Sequence, residues 1–306
     1  MKKQTEKTSG EPSARFSDAA LAASLLPARP ADGNKGAFGR ALLFCGSEKY
    51  RGAACLAAEA ALSGGAGLVE IASCESVVSL VLTRAPSVIG TAYVPSARGA
   101  YLPLTLAEKA TAILVGCGSG ASERLCLSLY ELLSTPGCPV ALDADALNAL
   151  SIMREGSLDV LKNAARPVVL TPHPLEFSRL SGLSLAEISA DRVGVASRFA
   201  EEYGVTLVLK GAGTVIAAPN GEVTVNTTGG PGLAKGGSGD ALAGLLVSLL
   251  AQGTDPYSAA VLAVYLHGAA GDALSDEYSP YGVRPDDLPR EIARRIASLC
   301  ALSRGQ

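Results

Sequence analysis

Six short runs, residues 41–44, 68–72, 112–115, 139–142, 168–170 and 205–209, are apolar almost throughout instead of alternating. A strand that reads this way is buried on both faces, as in a parallel sheet whose crossover helices cover each side. Helical stretches lie between the runs, among them residues 53–63, 122–133 and 185–203. The alternation predicts a layered α/β fold with a mostly parallel sheet. No Pro/Ser-rich linker interrupts it, so residues 16–306 are expected to form one domain. Residues 1–15, with four lysines or arginines and no apolar run after them, predict a disordered tail.

The pattern changes once. Residues 214–218 and 222–225 flank Pro219, Asn220 and Gly221, and Asn-Gly between β-type runs signals a hairpin. The sheet is therefore expected to end in antiparallel strands. Shortly after them, Leu242, Leu245, Leu246, Leu249 and Leu250 mark one face of a helix that stops near Gly253.

Between hairpin and helix, residues 229–240 (GGPGLAKGGSGD) hold six glycines. Free N–H groups at a helix start, together with the positive end of the helix dipole, make an anion site, and glycine lets backbone approach phosphate oxygens. Gly236, Gly237, Ser238 and Gly239 are the candidate anion hole. A carboxylate there repels phosphate unless it is needed to accept a proton, so Asp240 is the candidate base beside a phosphoryl group. The plainer alternative is a glycine-rich turn with Asp240 as a favourable first-turn acid.

Four further segments follow predicted strands, the end of a parallel sheet at which ligands bind. Gly116-Cys117-Gly118-Ser119-Gly120-Ala121 fits the dinucleotide fingerprint, although it lies mid-chain and a lone match is weak. Asp143, Asp145 and Asn148 put two carboxylates and an amide at a strand–helix junction, where Asp145 could equally cap the helix. His173 and Glu176 follow a strand in a loop fixed by Pro172 and Pro174, which displays the imidazole to a ligand. Lys210, Gly211, Ala212, Gly213 and Thr214 join a strand to the hairpin and leave room for a flat ring or ribose.

Composition removes several function classes. Net charge is −3, so no basic excess draws nucleic acid or anionic lipid, and no Trp with 5% aromatics offers no stacking ladder. The apolar segments 241–251 and 259–266 fall short of the ~20 residues of a membrane span. Seven cysteines without a C-x-x-C pair read as small core residues in a reducing compartment, and the cytoplasm is expected. Two distant histidines make a zinc site unexpected. His267, within an apolar helix, reads as a core or edge histidine.

Taken in order, Lys35-Gly36-Ala37-Phe38-Gly39-Arg40, Gly46-Ser47 with Tyr50 and Gly52-Ala53-Ala54, residues 142–148, 170–176, 210–214 and 228–240 resemble the ADP/ATP-dependent NAD(P)H-hydrate dehydratases. These are a branch of the ribokinase-like superfamily, and the match runs from about Lys35 to Leu288. The resemblance implies a three-layer αβα sandwich that removes water from the S-epimer of hydrated NADH or NADPH. A nucleotide's terminal phosphoryl group makes hydroxide a better leaving group, and AMP or ADP is released with phosphate. It assigns Asp240 as base and residues 236–239 as anion hole. Lys210 to Thr214 and Gly239 would bind the AMP part, and Ala54, Gly118, Gly120, His173 and Asp240 the hydrated cofactor. Asp143, Asn148 and Glu176 are further candidates. Mg²⁺ is expected on the nucleotide, ADP as donor, a homo-oligomer as assembly, and a stand-alone dehydratase without the family's epimerase domain.

Departures from the family pattern are Asn34 in place of His, Cys117 and Ser119 in a Gly-Pro-Gly-Leu-Gly segment, Leu175 in place of Gly, Gly230 in place of Asn, and Ser87 where Glu is common. None touches the base or the anion hole. The rival readings are a ribokinase-like small-alcohol kinase, such as a thiamin-precursor kinase, and a non-catalytic nucleotide sensor.

Overall fold

A computed structural model describes residues 14–94, 101–152 and 158–304; residues 1–13 of the expected tail lie outside the described residues. Among the described residues, ten strands form one sheet: β1 (Ala14–Phe16), β2 (Arg40–Phe44), β3 (Leu68–Ser73), β4 (Ile89–Ala92), β5 (Ala112–Val115), β6 (Val140–Leu142), β7 (Val168–Leu170), β8 (Thr206–Leu209), β9 (Val215–Ala217) and β10 (Val223–Val225). Their order is β1-β10-β9-β8-β7-β6-β5-β2-β3-β4. All neighbouring pairs are parallel except β8 with β9 and β9 with β10, so β9 alone runs against the rest.

The apolar strands are covered on both faces, as their composition requires. In β5, Ala112 and Leu114 face one core while Ile113 and Val115 face the other, and β2 divides in the same way. The first core is closed by the helices Arg51–Ser63, Glu75–Arg84, Ser238–Ala251, Pro256–Gly282 and Leu288–Arg304, the second by Glu123–Ser134, Asp145–Ile152 and the helices 174–203. This is a three-layer αβα sandwich. No described helix is long and apolar enough to cross a membrane.

Three expectations are corrected. The hairpin forms, yet it is not the sheet's edge: Ala14 and Arg15, expected in the tail, pair with Val223 and Thr224. Arg15 Nε also donates to Thr224 Oγ1 at 3.0 Å. The helix expected over 185–203 is two, Leu185–Ala190 and Arg192–Tyr203, because the Asp191 carboxylate caps the second by accepting from Gly194 N–H at 2.8 Å. Ser238–Ala251 is buried all round instead of on one leucine face, since it lies between the sheet and the helix Arg51–Ser63.

The order of strands places the site. The chain runs from β2 outward through β3 and β4, then returns to β5 on the other side of β2 and continues through β6 and β7 to β8. The switch point therefore falls between β2 and β5, and ligands of open α/β sheets bind outside the carboxyl ends of strands at such a point.

Candidate active site

Loops from the carboxyl ends of β2, β5, β6, β7 and β8 converge at this switch point. Gly46, after β2, donates its N–H to Cys117 O after β5 at 2.7 Å. Gly116 has φ +124°, and a Cβ there would lie 1.9 Å from Asp143 O, so only glycine lets the β5 loop cross beneath the β6 loop. Beyond it, Gly120 N–H donates to Asp145 Oδ2 at 2.8 Å. Asp145 thus ties the glycine loop to its own helix start and does not serve as the helix cap. Ala144, between the two aspartates, has φ +47°, a strained value for alanine that separates their directions.

Asp143 is the hub. Its side chain is almost fully buried and its Oδ1 accepts from Lys210 Nζ at 2.7 Å and Thr171 Oγ1 at 2.8 Å. Cys117 Sγ approaches Oδ2 at 3.8 Å. Glu176 Oε2 lies 4.0 Å from Lys210 Nζ. Burial alone pushes Lys210 down, but the charges of Asp143 and Glu176 carry it above the ordinary lysine value. Lys210 is therefore held as an ammonium.

Asp240 sits in the first turn of Ser238–Ala251. Burial, reinforced by repulsion from Asp143, pushes its carboxyl up to about 6, against the opposing effects of the Cys117 thiol and Lys210. A carboxyl in that range is ionised near neutrality and still a competent proton acceptor. The Cys117 thiol, held by Cys45 and buried, is raised well above its ordinary value and stays protonated. It is a hydrogen-bond donor among carboxylates, not a nucleophile.

The helix start leaves several N–H groups free. Ser238 N–H donates to Lys235 O and Ala241 N–H to Gly237 O, each at 3.2 Å. The N–H groups of Gly236, Gly237, Gly239 and Asp240 have no backbone acceptor among the described residues. The buried Ser238 hydroxyl also has no partner among the described residues. A Cβ on Gly239 would stand 3.6 Å from Lys210 Nζ and 3.9 Å from Asp143 Oδ2, so this stretch of backbone borders the charged cluster.

The remaining candidates are spread around that cluster. His173 is half-exposed and caps the helix Pro174–Ser181: its Nδ1 accepts from Leu175 and Glu176 N–H at 3.1 and 3.3 Å, while Glu176 Oε2 accepts from His173 N–H at 2.8 Å. Gly211, Ala212 and Gly213 are exposed, and Thr214 Oγ1 closes their turn on Gly211 O at 2.9 Å. Lys210, expected with them, turns its ammonium to Asp143. Gly118 lies against Tyr50, and Ala54 is fully enclosed behind Gly46. Asn148 stands apart, accepting from Arg179 Nη1 at 2.8 Å.

Sequence reasoning missed Thr171 and Cys117. Cys117 was legible only as a departure inside a glycine segment. His267 is the buried core histidine expected, and what the sequence did not name is its partner, Ser238 O at 2.9 Å.

A mostly parallel αβα sandwich with this glycine–aspartate helix start defines the ribokinase-like class. Within that class, the family model for NAD(P)H-hydrate dehydratase matches residues 41–294, and the chain belongs to this family. An ADP-dependent (S)-NAD(P)H-hydrate dehydratase from Bacillus subtilis is 37% identical over 270 residues, which cover 88% of this chain and 93% of that protein. The crystal structure of the Bacillus subtilis ADP/ATP-dependent NAD(P)H-hydrate dehydratase, co-crystallized with ATP/Mg²⁺, superposes with TM-score 0.81 at 32% identity, covering 94% of this chain and 99% of that one. A bifunctional NAD(P)H-hydrate repair enzyme from Moorella thermoacetica is 41% identical over 282 residues, 90% of this chain. The chain spans about half of that relative's length, 52%.

Proposed function

We propose that this chain uses ADP, or ATP in its place, to dehydrate the S-epimer of hydrated NADH or NADPH and restore the reduced cofactor. The observation that carries the reading is Asp240, its carboxyl raised to about 6, beside helix-start N–H groups without backbone acceptors. A base next to an anion site suits phosphoryl transfer to a hydroxyl. Asp240 takes the proton of the substrate hydroxyl as its oxygen attacks the terminal phosphorus. The N–H groups of Gly236, Gly237 and Gly239 receive the charge on the transferring oxygens, and AMP departs when ADP is the donor. The ring then expels phosphate: the C–O bond breaks, the adjacent carbon loses a proton, and the double bond of the reduced nicotinamide returns.

The exposed Gly211–Thr214 turn takes the AMP part, and Lys210 holds Asp143 so that the pocket keeps a fixed charge pattern. Gly118, Gly120 and His173 line the dinucleotide's side, with Ala54 shaping its wall from behind Gly46. The ligating atoms of Cys117, Asp143 and Asp240 lie within 4.8 Å of one another. A carboxylate in this cluster suits a hard cation arriving on nucleotide phosphates, so Asp143 is the residue that would hold Mg²⁺, while Asp240 stays free to take the proton. Mg²⁺ supplies charge neutralisation on those phosphates. The proposal extends to a soluble cytoplasmic enzyme that assembles as a homo-oligomer.

Incubating hydrated NADH and NADPH separately with ADP or ATP plus Mg²⁺ tests the reading. Recovery of reduced-nicotinamide absorbance is expected. A stable phosphorylated alcohol formed from another substrate, without such recovery, would instead establish the kinase alternative.

A further inference from the structure

His267 lies in the helix Pro256–Gly282 amid Ala263, Val264, Leu266, Gly268, Ala270 and Gly271, at 8% exposure. An apolar side chain would pack there without the ~1–3 kcal/mol that burying an imidazole costs when it finds no partner. Its partner is specific: Nε2 stands 2.9 Å from Ser238 O, in the middle of the glycine segment. A carbonyl only accepts, so Nε2 carries the hydrogen. Burial, with the positive charge of Lys210 adding to it, pushes the imidazole down to about 4 and keeps it neutral at ordinary pH.

The bond falls on one peptide plane. No peptide in the described chain is cis, and in a planar trans peptide C=O and N–H point in opposite directions. Holding Ser238 O therefore fixes the direction of Gly239 N–H, which has no backbone acceptor among the described residues. The same helix grips the start of the segment. Thr228 Oγ1 donates to Tyr265 O at 2.9 Å, and Gly229 N–H donates to Asp272 Oδ2 at 2.8 Å. A run of glycines has few side chains to pack and wide backbone freedom, so bonds to a neighbouring helix are what can hold it still.

We infer that His267 is a positioning residue that aims the Gly239 N–H at the transferring phosphoryl group by clamping the Ser238 carbonyl. The inference rests on the phosphoryl-transfer reading given above. It assigns the two histidines different tasks: His173 faces the substrate side, whereas His267 touches no ligand and acts only through backbone.

Three substitutions separate this role from packing. His267→Leu keeps volume and removes the donor, His267→Gln places an amide donor near the position of Nε2, and His267→Asn donates but stops a methylene short. Each is compared with the parent enzyme by thermal unfolding, by kcat and KM with ADP and hydrated NADH, and by calorimetric binding of AMP and then of inorganic phosphate to the AMP complex. The leucine and asparagine variants are expected to lose about 10- to 100-fold in kcat, a fraction of the ~10²–10³-fold that follows complete loss of such a donor. Phosphate binding should weaken with kcat, while AMP affinity and KM stay close to the parent values. Glutamine should recover kcat to within about threefold.

Unchanged phosphate binding and kcat in both the leucine and the asparagine variant would overturn the inference. So would equal loss of AMP and phosphate binding that glutamine fails to rescue, because that marks a purely structural histidine. Should the leucine variant not fold, the asparagine and glutamine pair decides the same question. A parent enzyme that binds phosphate on AMP but dehydrates nothing would refute the proposed reaction, and the phosphate measurement would still judge His267. A parent that binds no phosphate refutes the inference itself.

Discussion

Lys210 Nζ and Asp143 Oδ1 are 2.7 Å apart, although their residues leave different strands, β8 and β6, separated by β7. The ion pair spans the floor of the site, and beside it burial, reinforced by repulsion from Asp143, drives the Asp240 carboxyl up to about 6. Asp143 is tied to Lys210, whereas Asp240 is left able to gain and lose a proton.

Asp143→Asn should therefore do two things. It leaves the enclosed Lys210 with only the more distant Glu176, and breaking a buried pair costs about 3–5 kcal/mol. It also removes a repulsion from Asp240. Denaturant unfolding should show the destabilisation, and the acid limb of the kcat/KM profile should move to lower pH in whatever activity remains.

Cys117→Ala should move that limb the other way. Its thiol opposes the rise of the Asp240 carboxyl, so its removal lets the carboxyl rise further. A pH profile that shifts downward, or not at all, would show that the thiol does not set the base.

How much of this was legible follows from what each signal depends on. The strands of the parallel sheet were readable because burial on both faces leaves an unbroken apolar run, and the helix start at Ser238 because a glycine cluster precedes a run of helically spaced leucines. Strand β1 was not, because three residues, two of them exposed, carry no pattern of their own and pair only with β10. The break at Asp191 shows the limit of periodicity, for a capping aspartate inside a helical stretch looks like any polar position. In the site, the sequence brought Asp240, Asp143, Lys210 and Glu176 forward but not Thr171 or Cys117. Thr171 and Cys117 act through three-dimensional neighbours, and the target of His267 is a backbone carbonyl, which has no letter in the sequence.

Two glycines of one helix should respond oppositely to alanine. At Gly239 a Cβ meets nothing closer than Lys210 Nζ at 3.6 Å, whereas at Gly244 it would stand 2.1 Å from Ala57 O of the neighbouring helix. Gly239→Ala is expected to fold with stability equal to or up to ~1 kcal/mol above the parent, with kcat reduced by crowding at the phosphate site. Gly244→Ala forces two backbones apart and should lose about 1–3 kcal/mol or more. Thermal unfolding and kcat on both variants check the contrast.

Asp240→Asn should trade activity for stability. The carboxyl is raised from 3.8 to about 6 on folding, so the fold favours its neutral form. That contribution is complete below pH 4 and is lost as pH rises through 6. At pH 8 the asparagine variant should be more stable than the parent by up to about 3 kcal/mol, from ~1.4 kcal/mol for each tenfold change in proton affinity, and the difference should vanish below pH 4. Denaturant unfolding of both proteins across this range measures it.

The most direct test counts products. Hydrated NADH, ADP and Mg²⁺ are mixed with parent enzyme and, separately, with Asp240→Asn, and restored NADH, AMP and free phosphate are measured in the same quenched samples. The parent should release one AMP and one phosphate for every NADH it restores, and the variant should be slower by about 10²- to 10⁴-fold, the scale of a lost general base. NADH restored without AMP, or an asparagine variant as fast as the parent, would contradict phosphoryl transfer driven by Asp240.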